Sequence, residues 1–259
     1  MISEPPVTLD PAAREALAEL ILGVADDEFV IGFWDSEWTG IAPMLEEDVA
    51  TSSIAQDEIG HARALYELLA ALTDDDADRI AFGRSAADFR HAALMNHARG
   101  DWAFSVARRY LYETADAVRL TALARSSHEP LAQLAGKMRR EETYHLLHAD
   151  AWLRRLTEGG AEGRGRLTGG LRDLWTDAQE VFAPLAGEET LVREGFLPEP
   201  MSEMHAAWQT RVRPVLEPIC GELTSAAPSL DGRVRRTDDF VWLHGEFTSV
   251  VRSEEAATW

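Results

Sequence analysis

Two copies of one motif, Asp57-Glu58-Ile59-Gly60-His61 and Glu141-Glu142-Thr143-Tyr144-His145, constrain the fold of this chain more than any other feature. Each reads acid, Glu, two residues, His, and each lies in strongly helical sequence. Residues three apart on a helix project from one face, so each Glu and His can present a carboxylate oxygen and an imidazole nitrogen to a common point. Neighbouring residues continue that face. Ile54, Glu58, His61, Leu65, Leu68 and Leu72 are spaced by 4, 3, 4, 3 and 4, and Met138, Glu142, His145, Ala149, Trp152 and Leu156 repeat the same steps. The acid and the imidazole interrupt an apolar stripe in both helices, which directs them into a core.

Each motif has an upstream glutamate at a matching interval: Glu28 lies 30 residues before Glu58, and Glu113 lies 29 before Glu142. At about 1.5 Å of rise per residue, two antiparallel helices joined by a short turn bring positions about 30 apart to one level. Val106, Tyr110, Glu113, Ala117, Leu120 and Ala124 show the same rhythm, and Ile21, Val24, Glu28 and Ile31 a shorter version. The chain reads as a duplicated helical hairpin carrying Glu28, Glu58, His61, Glu113, Glu142 and His145 inward. That is the recurring ligand set of ferritin-like di-iron and di-manganese proteins. Burying four acids would cost several kcal/mol each without compensation, and two divalent cations supply it. Asp26, Asp27, Asp35 and Glu37 compete with Glu28 if the register is shifted, and Asp116 competes with Glu113. Asp57 and Glu141 are candidates to orient the opposing histidine through its second nitrogen, the alternative being exposed helix acids.

The expected fold is all-α: a ferritin-like four-helix core over about 11–156 and a helical C-terminal extension over about 165–259, in one domain. Asp10-Pro11 opens a helix running to about Trp38, and Gly40 and Pro43 break it. Further core helices are expected over about 44–72, 101–126 and 131–156, with an ambiguous connection around Phe82 to Arg99. The stretch from Gly159-Gly160 through Gly163 and Gly165 reads as a flexible loop. Helices near 171–182, 201–223 and 238–253 follow. No stretch reads as a strand.

Composition narrows the chemistry. Cys220 is the only cysteine, so a thiolate cluster is excluded and any metal is held by oxygen and nitrogen. A formal charge of −20 and the lack of a basic run argue against nucleic-acid binding. No run of about 18 apolar residues is present to span a membrane. The opening Met-Ile-Ser-Glu-Pro-Pro lacks a basic start and an apolar core, so a cytoplasmic location is expected.

At these residues the sequence resembles the oxygenase subunits of the bacterial phenylacetyl-CoA epoxidase, a ferritin-like family in which catalytic and non-catalytic paralogues assemble together. The resemblance covers nearly the whole chain. Its most specific stretches are Glu28 through Trp38 to Ala42-Pro43, Gln56 to His61, and Arg125-Ser126-Ser127 leading to Arg140 through His145. Glu28, Glu58, His61, Glu142 and His145 match the family's iron ligands in kind, and Glu113 stands where the family has an Asp. Leu174-Trp175, Ala207-Trp208 and Trp259 look more like the non-catalytic paralogue.

A pair of iron ions, with manganese or a mixed pair as alternatives, would activate O2 for insertion into a carbon–carbon double bond or a C–H bond. Glu58 and Glu142 are the expected bridges and catalytic carboxylates, with Glu28 and Glu113 more terminal. No flavin, nicotinamide or iron–sulfur motif is present, so a separate reductase is implied. The resemblance implies an aromatic acyl-CoA such as phenylacetyl-CoA as substrate, and homo- or hetero-oligomers with related helical subunits. Tyr66, Tyr110, Tyr112 and Tyr144 all fall on the ligand helices, as packing or redox tyrosines. His148, three residues beyond His145, either extends the polar face or is a surface histidine, the latter being the expected case. The rival readings are a metal-oxidising or storage protein, which has no need of roughly 100 residues after the fourth helix, and a metal-free scaffold, which has no need of the ligands.

Overall fold

The computed structural model describes residues 9–224 and 226–253. Its core consists of four long helices: α1 (Pro11–Ser36), α2 (Leu45–Thr73), α4 (Trp102–Leu123) and α5 (Glu129–Glu158), with the short α3 (Ala77–Phe82) and two 3₁₀ turns between the halves. Among the described residues there is no strand. The helices begin where the sequence supplies a partner for the free N–H groups of a first turn. Asp10 accepts from Ala12 N ahead of Pro11, and Asp101 accepts from Phe104 N at 2.9 Å. Helix α2 stops at Asp74, which adopts a left-handed conformation, and Asp76 then caps α3 by accepting from Arg79 N.

Helix α1 packs along α2 and α4 along α5, and α2 meets α5 to join the two hairpins. Side chains close the remaining side between α1 and α4, where Trp38 Nε1 donates to Ser105 Oγ at 2.9 Å. The alternating stripes of all four helices point into this bundle, as the positions of Ile54, Leu65, Met138, Ala149, Val106 and Leu120 show.

Helix α6 spans Ala161–Ala178, α7 Glu188–Arg193, α8 Met201–Cys220, α9 Asp238–Phe247 and α10 Ser249–Ser253. Helices α6 and α8 pack on α4, and α7 and α9 on α1. The expected loop through Gly163 and Gly165 is instead helical, and only Gly159 and Gly160 separate α5 from α6. Leu167, Leu171 and Leu174 bury one face of α6, and that packing outweighs the poor helix propensity of exposed glycines. At Gly170 glycine serves close approach, since a Cβ there would lie 3.2 Å from Ala107 Cβ on α4. Trp175 and Trp208 stack at 5.1 Å, and Trp208 Nε1 donates to Thr114 Oγ1 on α4 at 2.9 Å. Trp259 lies outside the described residues. No helix among the described residues is long and apolar enough to cross a membrane.

Candidate metal centre

Glu28 from α1, Glu58 and His61 from α2, Glu113 from α4, and Glu142 and His145 from α5 converge at the middle of the bundle, all buried. They form two overlapping groups: Glu28, Glu58, His61 and Glu142, and Glu58, Glu113, Glu142 and His145. Within each, one ligand atom per residue lies within 4.8 Å of the others. Glu58 and Glu142 belong to both. The competing acids are engaged elsewhere. Asp26 accepts from Tyr66 Oη at 2.6 Å and from Arg84, Asp27 pairs with Arg119 and Arg233, Asp35 pairs with Arg109, and Asp116 accepts from Arg119 Nε at 2.8 Å. Glu37 lies half-buried, 3.8 Å from Arg99.

Both imidazoles turn Nδ1 inward. His61 Nδ1 lies 3.2 Å from Glu28 Oε2 and 3.3 Å from Glu142 Oε1, and His145 Nδ1 lies 3.2 Å from Glu142 Oε1 and 3.4 Å from Glu58 Oε1. Their outer nitrogens face the acids that precede the opposite motif: His61 Nε2 is 2.8 Å from Glu141 Oε2, and His145 Nε2 is 3.3 Å from Asp57 Oδ2. A carboxylate facing Nε2 selects the tautomer that carries the proton there, which frees the Nδ1 lone pair toward the cluster. Asp57 and Glu141 keep 43% and 39% of their side-chain surface exposed, so they link the core to solvent.

The donor set suits divalent cations. Glu58 Oε2, Glu113 Oε2, both oxygens of Glu142 and His145 Nδ1 are buried with no hydrogen-bond partner among the described residues, and all belong to the two groups. Such atoms cost free energy unless something positive completes them. Protonation shifts express the same deficit. Burial, reinforced by the charges of Glu142 and Glu28, raises Glu58 well above the usual carboxylate range. Burial raises Glu113 likewise, against the opposing effect of Arg109. Burial also disfavours ionised Glu142, but the adjoining imidazoles of His145 and His61 hold its carboxyl well below the usual range. Both imidazoles are raised, although burial opposes it, chiefly by Glu142.

Two arginines without a role in the sequence pattern, and one of the four tyrosines, complete the site. Arg109, one turn before Glu113 on α4, donates through Nη2 to Glu58 Oε1 at 2.9 Å and to Glu113 Oε1, and through Nη1 to Asp35. Tyr112 Oη donates to Glu28 Oε1 and accepts from Arg119 Nη2 at 3.0 Å. The one available signal was the i, i+4 spacing of Arg109 and Glu113. Of the other tyrosines, Tyr66 is buried against Asp26, Tyr110 is buried with its phenol pushed up to about 12 by burial, and Tyr144 is exposed. His148 is not a free surface histidine: it is half-buried, with Nε2 2.7 Å from Glu47 Oε2.

The family described as "Phenylacetic acid catabolic protein" matches residues 1–259. In the 1,2-phenylacetyl-CoA epoxidase of Escherichia coli (strain K12), the subunit designated C is 30% identical over 197 residues, which cover 76% of this chain and 79% of the relative. The subunit designated A of the same enzyme is 26% identical over 184 residues, covering 70% of this chain and 58% of the relative. With a match that runs the length of the sequence and a helical bundle of the kind its motifs require, the chain belongs to the phenylacetic acid catabolic protein family.

Proposed function

We propose that this chain is an oxygen-activating subunit of an epoxidase-type oxygenase, acting on an aromatic acyl-CoA of the phenylacetyl-CoA kind and receiving electrons from a separate reductase. The reading rests on the convergence of four carboxylates and two inward imidazole nitrogens in two groups that share Glu58 and Glu142. Glu28, Glu58, His61 and Glu142 would hold one ion, and Glu58, Glu113, Glu142 and His145 the other. Two iron ions bound there would supply redox equivalents and open coordination positions for O2 activation. Glu141 and Asp57 orient His61 and His145 and fix their tautomers. Tyr112, backed by Arg119, holds the outer oxygen of Glu28 so that the other faces His61. Burial of all six ligands keeps bulk water from the reacting centre. Nothing in this chemistry fixes the acyl group, which the relatives' names suggest.

The test supplies iron-loaded protein with O2, a reductase, related subunits and phenylacetyl-CoA, and looks for a product heavier by one oxygen. Glu58→Ala should abolish it. A second reading, a structural role within such a complex, draws on Arg109, whose guanidinium satisfies two of the four carboxylates without a metal. Undiminished activity of a complex carrying Glu58→Ala would favour that reading.

A further inference from the structure

The two halves of the centre are built from the same residue types, yet one already contains a cation. Both halves share the two unpartnered oxygens of Glu142; the half made by Glu28, Glu58, His61 and Glu142 adds the unpartnered Glu58 Oε2, and the other half adds Glu113 Oε2 and His145 Nδ1. In the half made by Glu58, Glu113, Glu142 and His145, Arg109 takes one oxygen of Glu58 and one of Glu113. The Glu58 oxygen it takes, Oε1, is the one 3.4 Å from His145 Nδ1. A guanidinium keeps its charge at every pH a folded protein meets, so it cannot vacate this half by losing a proton. It can vacate by moving. Asp35 already accepts from Nη1, and it borders a small cavity of about 20 Å³ among Trp38, Ser105 and Trp152 into which Arg109 also reaches.

Resting on the metal-centre reading above, we propose that Arg109 makes the two sites unequal: the first divalent cation enters the Glu28–His61 half, and the second binds only by displacing Arg109 from Glu58 and Glu113 onto Asp35. Arg109 is thus a built-in competitor for the second ion. A divalent cation placed beside an immobile guanidinium meets repulsion in a medium of low dielectric, and it loses two carboxylate oxygens as ligands. The Glu28–His61 half is less obstructed: Arg109 holds only the Glu58 oxygen that faces His145 and leaves Glu58 Oε2 unpartnered, and Arg119 lies 3.6 Å from the outer oxygen of Glu28, on the side held by Tyr112.

The experiment titrates metal-free full-length protein with cobalt(II), followed by calorimetry and visible absorption, in the wild type and four variants. The wild type should show two steps, the second weaker by about tenfold or more. His61→Ala should remove the tight step, and His145→Ala should leave it. Arg109→Met should bring the two steps together, whereas Arg109→Lys, which keeps the charge, should preserve a gap. Two equal steps in the wild type, or an unchanged gap in folded Arg109→Met, would overturn the inference while leaving the metal centre intact. If Arg109→Met does not fold, loss of the tight step in His145→Ala overturns it equally. No cobalt uptake by any variant would overturn the metal-centre reading as well.

Discussion

A methyl group added at Gly32 would lie 2.9 Å from Ile59 Cγ1, 3.0 Å from Glu58 Cβ and 3.2 Å from Ala55 O, so α1 and α2 touch through bare backbone just where Glu58 enters the centre. Gly32→Ala should therefore cost about 1–3 kcal/mol in urea unfolding and weaken metal binding, because Glu58 Cβ is among the atoms that must give way. Gly60, within the second-helix motif itself, is the control: it is exposed and a Cβ would meet nothing within 4 Å. Gly60→Ala should stabilise by about 0.5–1 kcal/mol through helix propensity, and a loss of that size would show a packing role the structure does not have. His91 supplies the pH-dependent counterpart. It is fully buried against Phe240 and Asn96, and burial, with Arg236 nearby, pushes it well below its ordinary value of 6.5. Between the two values the unfolded chain binds a proton that the folded chain refuses, so stability falls as pH drops through about 6.5 and levels off below the folded value. His91→Gln should flatten that slope, by at most about 1.4 kcal/mol per pH unit just below pH 6.5, measured by denaturant midpoints.

Helix α4 shows which parts of an element are legible in sequence and which are not. Its start at Asp101 and its inward stripe from Val106 to Leu120 follow from capping chemistry and a 3.6-residue period. The roles of its polar residues Arg109, Tyr112 and Arg119 do not follow from that stripe. These side chains are buried against α1 and α2, where Arg109 pairs with Asp35 and Glu58, Tyr112 donates to Glu28 and Arg119 pairs with Asp27, contacts between segments far apart in the chain. The parts that Arg109, Tyr112 and Arg119 play around the carboxylates were invisible for that reason. The glycines of α6 misled in the opposite direction, since their local propensity is for a loop and only packing on α4 makes them helical. The same long-range logic ties the C-terminal segment to α1. Arg233 is buried and donates to both oxygens of Asp27, at 3.1 and 3.0 Å, and to the carbonyls of Gly23 and Val181. Arg233→Met removes one partner of a buried ion pair and should cost on the order of 3–5 kcal/mol. An unchanged urea midpoint would mean that Arg119 alone suffices for Asp27.

Across the whole molecule, every buried aspartate among the described residues is matched to an arginine, and the buried Glu180 accepts from Ser229. Asp26 has Arg84, Asp27 has Arg119 and Arg233, Asp35 has Arg109, and Asp116 has Arg119. Glu28, Glu58, Glu113 and Glu142 are left to share Arg109 and two imidazoles, so the deficit of positive charge is concentrated within a few ångströms. The motif spacing carried this convergence, because Glu-x-x-His fixes geometry locally and needs only one hairpin to meet the other. It could not carry the balance of charge, which depends on which arginines the tertiary fold delivers. Loading with metal should therefore stabilise the folded chain, since an unfolded chain offers no preformed site. At a free-ion concentration of about 100 times Kd the gain is roughly 2.7 kcal/mol, which for a chain of this size raises the unfolding midpoint by on the order of 5–10 °C. Thermal unfolding of iron-loaded and chelated protein, with metal content measured in both, checks it. Equal midpoints after verified loss of metal would mean that protons on Glu58, Glu113 and the two histidines, together with Arg109, already balance the cluster.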